Sequence, residues 1–194
     1  MRTPIDTKKK LKEYIIRDSS CLKWEDLSFK DRVIKKITKD TQYYILLYLK
    51  YARIDEYLEY TAKGKIDQIK WIFNRRRKNK LGQFLDIDLY SESFGTALSV
   101  FHGGIIVHPS VRFGDNCKLH GHNCIGNNGK TAEVPRAGNG IDVGIGACII
   151  GDIELSDNII IGANAVVNKS IEKSNSVHVG IPASMKKSYI TLES

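Results

Sequence analysis

The chain has 194 residues, 42% hydrophobic and 27% charged, the balance of an ordinary globular protein with room for one sizeable core or two small ones. Its longest apolar run, Tyr43-Tyr44-Ile45-Leu46-Leu47-Tyr48-Leu49, is far short of the roughly 20 residues a membrane span needs, and the start, Met1-Arg2-Thr3-Pro4-Ile5-Asp6, has no secretory apolar run. The net charge of +8 is uneven: residues 1–80 carry 22 Lys/Arg against 11 Asp/Glu, and residues 81–194 carry 8 against 11, so the two segments are expected to do different jobs.

Four helices are predicted first. Asp6-Thr7 caps one running to about 18, and a basic amphipathic stretch covers about 28–38. Asp40-Thr41 caps a longer helix to about 61, stopped by Gly64. The last, about 65–79, ends in Arg75-Arg76-Arg77-Lys78-Asn79-Lys80 before Gly82 breaks the pattern. Cys21, Cys117, Cys124 and Cys148 show neither CxxC pairing nor metal-ligand spacing, so reduced thiols, no metal and a cytoplasmic setting are expected.

Beyond Gly82 glycine becomes frequent, and Ile and Val replace the helix formers. Every sixth residue from Phe101 is large and apolar: Phe101, Val107, Phe113, Leu119 and Ile125, then Val143, Ile149, Leu155, Ile161 and Val167. Period six fits neither a helix nor simple strand alternation. It suits a coil of three short flat faces, about 18 residues per turn, with the large residue inward. Segment 127–142, with Asn127-Asn128-Gly129-Lys130 and Gly138-Asn139-Gly140, is expected to leave the coil as a loop.

Several pieces have the texture of one family: Phe94-Gly95, then Leu98-Ser99-Val100-Phe101-His102-Gly103-Gly104 and Ile105-Ile106-Val107. Gly126-Asn127-Asn128-Gly129-Lys130, Gly151-Asp152-Ile153-Glu154-Leu155, Ile161-Gly162-Ala163-Asn164-Ala165-Val166-Val167 and Gly180-Ile181-Pro182-Ala183 follow. Residues 95–187 resemble the hexapeptide-repeat acyltransferases, in particular the serine acetyltransferase-like branch. The first half is similar to the N-terminal domain of such enzymes from surface-polysaccharide biosynthesis. The resemblance implies an α+β chain: a helical domain over 1–82, a left-handed parallel β-helix over 83–187, and a tail over 188–194. It also implies a homotrimer or dimer of trimers, active sites at the subunit seams, and acetyl-CoA lying along the coils.

Acetylating a hydroxyl needs a base for the proton and donors for the oxyanion. His102 falls at the family's catalytic histidine, in a Gly-Gly context that admits substrate; the alternative is an exposed or loop-capping side chain. His120, 18 positions on, is expected to stack over His102, either binding the acceptor or as a plain surface neighbour. His108, His122 and His178 are weaker candidates. The resemblance implies an acidic partner for the base, with Asp88 favoured over Asp86; a turn aspartate is the alternative. Lys130, Gly144, Ile145, Gly162 and Ala163 match family cofactor contacts, and Lys186 and Lys187 can reach the nucleotide phosphates. The glycines serve equally as corner residues.

Two departures bear on the acceptor. Serine acetyltransferases place a histidine before a proline where this chain has Val134-Pro135, and an aspartate before the catalytic histidine where it has Phe101. Both belong to serine handling, so a sugar hydroxyl is the expected acceptor. L-serine, or a scaffold without catalysis, are the alternatives. The basic helices carry no nucleic-acid motif, and the sharper reading of their charge is attraction to an anionic saccharide or a membrane surface.

Overall fold

The computed structural model describes residues 3–189. Three of its four helices begin at side-chain caps. Thr7 accepts from the Lys10 N–H ahead of α1 (Lys8–Cys21), and Ser28 from the Asp31 N–H ahead of α2 (Phe29–Ile37). The Asp40 carboxylate takes the Gln42 and Tyr43 N–H groups of α3 (Thr41–Thr61). Each cap satisfies donors that the first helical turn leaves free.

The last helix, α4 (Lys65–Leu85), corrects an expectation: it runs through Gly82. A Cβ at 82 would lie 2.6 Å from the Ile87 carbonyl oxygen and 3.1 Å from the Tyr48 ring, so glycine here permits close packing rather than ending the helix. The turn comes at Asp86, whose φ of +56° is left-handed.

The chain then winds through three parallel sheets in rotation, a parallel β-helix. Sheet one stacks Ile87–Asp88, Ile105–Val107, Cys124–Gly126, Cys148–Ile150 and Val166–Val167. Sheet two stacks Arg112–Phe113, Arg136–Ala137 and Glu154–Leu155. Sheet three stacks Ser99–Val100, Lys118–Leu119, Asp142–Val143, Ile159–Ile161 and Ser176–Val179, and antiparallel Ser184–Ser188 closes its edge. Of the expected tail, residues 190–194 lie outside the described residues.

Most of the period-six residues point inward, each above its counterpart one coil earlier: Leu119, Val143 and Ile161 in sheet three, and Val107, Ile125, Ile149 and Val167 in sheet one. Two expectations change. Val100, not Phe101, is the inward residue, fully buried beside Leu119. The excursion after Gly126 is shorter than 127–142: Arg136–Ala137 is already back in sheet two, and Gly138–Gly140 form a corner. Lys118 therefore pairs with Asp142, 24 positions on, where neighbouring coils repeat after 18.

Helices and coil share one core, in which Ile45, Tyr48 and Leu49 meet Leu85, Phe94 and Val100. A buried ion pair fastens the join. Arg53 grips both oxygens of Asp18 at 2.8 and 3.3 Å and donates to the carbonyls of Ser91, Phe94 and Gly95. Asp18 accepts in addition from the Leu98 N–H at 2.9 Å.

Candidate active site

The corner between sheets three and one repeats along the coil, and left-handed residues turn it: Gly104, His122, Gly146 and Asn164, with φ of +73°, +52°, +73° and +55°. The stretch Phe101–Gly104 holds one residue more than the equivalent corners, because Val100 pairs with Leu119 whereas Ile106 pairs with Cys124. That extra residue turns Phe101 outward and pushes His102 out of the corner, where it is exposed. Gly103 is wedged on Leu85, so that any Cβ would collide with the Leu85 carbonyl oxygen.

The extra residue also changes what lies over what. Gly121 covers His102: a Cβ there would stand 2.7 Å from the His102 Cβ. His120 instead faces Phe101, the ring centroids 4.8 Å apart at a 30° tilt, which corrects the expected stacking of His120 on His102. The His120 Nε2 is 2.8 Å from Asp142 Oδ1, and Lys118 Nζ is 3.5 Å from Asp142 Oδ2. Asp142, which holds the His120 ring, is not singled out by the sequence pattern. It precedes inward Val143 as Lys118 precedes inward Leu119, but the lengthened coil hides their adjacency.

Below His120 the same edge continues as Gly144, Ile145, Gly162 and Ala163. Gly144 N–H donates to Ile161 and Gly162 N–H to His178, and the Ile145 side chain is exposed. Cβ atoms at Gly144 and Gly162 would lie 2.7 Å from the Ala163 nitrogen and a Val179 methyl, so both glycines are demanded by packing. Lys186 and Lys187 lie exposed on the strand that closes sheet three.

Other candidates fall elsewhere. Lys130 sits exposed in the excursion that leaves the far end of sheet one, where its N–H donates to Asn128 Oδ1 at 2.9 Å. Asp88 is on the outer face of sheet one beside Ile106, and among the described residues it makes no hydrogen bond to His102. Asp86 serves through its carbonyl, which accepts from Ile105. His108 Nδ1 caps the Ser110 N–H, and the His122 ring covers Gly104. His178 is inward, 3.0 Å from Ser176 Oγ, and burial pushes its pKa below the usual histidine range.

A cavity of about 380 Å³ opens beside Phe101, between the connection after α1 and the outer face of sheet three. Leu22, Gln42, Ser99 and Lys118 line it with Phe101, an apolar floor with a few polar groups that suits a small hydroxylated molecule.

No family model matches the chain, and no curated protein matches its sequence. Solved structures do match. Serine acetyltransferase from Brucella abortus strain S19, in complex with coenzyme A, superposes with a TM-score of 0.72 at 20% identity over 95% of this chain and 71% of that one. The Neisseria gonorrhoeae serine acetyltransferase gives 0.72 and 20% over 95% and 69%. The soybean enzyme complexed with serine gives 0.69 and 20% over 90% and 69%. At such identities the likeness establishes the fold: a helical N-terminal part followed by a hexapeptide-repeat β-helix.

Proposed function

We propose that the chain is an acetyl-CoA-dependent O-acetyltransferase whose acceptor is a sugar hydroxyl of a surface polysaccharide or its precursor. The observation that carries the reading is the outward turn of Phe101, the residue before His102, which presents an aromatic ring, stacked on His120, at the cavity it lines. A pyranose has an apolar face for such a ring and hydroxyls for His120 and its neighbours. At this position a serine-handling enzyme of the resembled family has an aspartate.

In this reading His102 takes the proton of the acceptor hydroxyl as general base. His120, held by Asp142, orients the acceptor. Acetyl-CoA supplies the activated acetyl group. The side-chain-free edge at Gly144 and Gly162, with exposed Ile145 beside it, fits a narrow, largely apolar chain such as pantetheine. Ala163 lies on that edge, and Lys186 and Lys187 offer cations for phosphates at its end. The coil is left-handed, and the protein assembles as a homotrimer or dimer of trimers, which supplies Lys130 with neighbours across the seams. Among the described residues no helix is long and apolar enough to cross a membrane. The basic helices support attraction to an anionic saccharide or membrane surface.

Thiol release from acetyl-CoA, followed with a panel of sugars and with L-serine, tests the proposal. Sugar turnover exceeding that of serine by at least about a hundredfold in kcat/KM is expected; serine reaching the roughly 10⁴ M⁻¹s⁻¹ of an ordinary efficient enzyme would overturn it.

A further inference from the structure

A second cavity, of about 400 Å³, lies on the other side of the helix–coil junction, between the C-terminal half of α4 and the outer face of sheet one. Tyr48, Lys78, Asn79, Gln83 and Tyr90 line it, together with Asp86 and Asp88. Neither His102 nor Phe101 reaches it, so it is separate from the acceptor cavity described above.

Lys78 is the anomaly. The residue is only 9% exposed, and among the described residues its ammonium has no carboxylate or carbonyl within hydrogen-bond reach. Its one close partner is the Tyr90 ring, 5.2 Å from Nζ to the centroid. The nearby Asp55 carboxylate is already taken by two nitrogens of Arg75, at 2.9 to 3.2 Å. Burial disfavours the charged form and pushes the amine's pKa down, against the smaller opposing pull of the Asp55, Asp88 and Glu59 carboxylates, none of which forms an ion pair with it. A lysine buried for structural reasons alone is normally paired. Here the ammonium is instead left facing a cavity that polar groups line.

The rest of the lining narrows what fits. Asp86 and Asp88 are exposed carboxylates and accept hydrogen bonds without needing a cation. The amides of Asn79 and Gln83 both donate and accept, and Tyr90 offers an aromatic face. Two carboxylates and one ammonium disfavour a phosphate dianion more than a monoanion, whose one carboxylate can be met by Lys78 while hydroxyls donate to the aspartates. We infer that this cavity binds a sugar acid, a monocarboxylate with a hydroxyl-rich tail, whose carboxylate pairs with Lys78.

The inference does not rest on acetyl transfer, and its test needs no acetyl-CoA. Calorimetric titration of the full chain with glucuronate, glucose, glucose 6-phosphate and glycine, at constant ionic strength, reads it directly. Glucuronate is expected to bind at least tenfold more tightly than the other three. Lys78→Met is expected to weaken glucuronate at least tenfold while raising the thermal midpoint of the free protein, because it removes a charge that burial disfavours. A wild type that does not bind glucuronate, or that prefers the dianion, the neutral sugar or the zwitterion, overturns the inference. So does a Lys78→Met protein that binds glucuronate as the wild type does. Lys78→Arg, which keeps the charge, is expected to retain measurable binding and separates loss of charge from damage to the helix.

Discussion

The Nε2 of His120 stands 2.8 Å from an Asp142 carboxylate oxygen, across neighbouring strands of sheet three. The carboxylate fixes the tautomer and direction of a ring that would otherwise turn freely on the surface. If His120 orients the acceptor, Asp142→Ala should act on binding. A charge-assisted hydrogen bond contributes about 1.5–3 kcal/mol, so a rise in KM of about tenfold or more is expected, with kcat within about threefold. Steady-state kinetics against a sugar acceptor checks this split; an equal fall in kcat and kcat/KM would move His120 into the chemical step.

His102 and Gly121 make a second pair, with the glycine directly above the histidine's Cβ. His102→Ala should lower kcat by about 10²–10⁴, the usual worth of a general base, with the urea midpoint unchanged because the side chain packs on nothing inward. Gly121→Ala should displace the same ring. Its φ of +113° and the 2.7 Å approach make any side chain costly there, so a loss of about 1–3 kcal/mol in stability and at least about tenfold in kcat is expected. His102→Ala activity within tenfold of wild type would remove it from the role.

Arg53 and Asp18 are 1% and 2% exposed, and together they hold the helices on the first coil. Removing one partner leaves the other charge buried, at a cost of about 3–5 kcal/mol. Arg53→Met is expected to lower the urea unfolding free energy by that amount, and a change below about 1 kcal/mol would show that the pair contributes little.

Much of this architecture was legible in the residues. Thr7 and Asp40 mark helix starts because a short oxygen-bearing side chain is what a helix N-terminus lacks. Leu119, Val143 and Ile161 give the coil because one large residue per face fills its interior. Local irregularity was not legible. A single added residue at Phe101–Gly104 swaps Val100 for Phe101 as the core residue, and six added residues after Gly126 hide Asp142 from Lys118 and His120. Period counting cannot see such insertions when the residues on either side are both apolar. Gly82 misled for a related reason: the need for glycine came from Ile87 and Tyr48, distant in spacing or in sequence, rather than from the helix itself.

His178 replaces an aliphatic residue in the inward row, and burial lowers its pKa. The sign follows from linkage: the folded chain holds this ring neutral while the unfolded chain protonates it near 6.5, so protons favour unfolding. Stability from this site is present above about pH 6.5 and is lost as the pH falls through that value toward the lower folded pKa. Urea midpoints at several pH values should drop on the acid side for the wild type. His178→Leu should flatten that part of the curve, and an unchanged slope would assign the acid sensitivity to other groups.

Phe101 is 36% exposed and lines the proposed acceptor cavity, with the His120 ring 4.8 Å away. An outward phenyl on a β-helix edge adds nothing to the interior, since Val100 already fills that place. Its hydrophobic surface is therefore available to a ligand. Ring contacts of this kind contribute about 0.5–1.5 kcal/mol beyond simple burial, which predicts a rise in KM for a sugar acceptor of about two- to tenfold in Phe101→Ala. Phe101→Tyr keeps the ring and should stay near wild type. Neither change should alter the KM for acetyl-CoA, because the proposed cofactor edge begins at Gly144, beyond His120. Phe101→Asp is the sharper variant. It places a carboxylate where the resembled family has one, and should depress sugar turnover while improving the ratio for L-serine. If Phe101→Ala leaves sugar kinetics untouched, the acceptor does not lie on this ring.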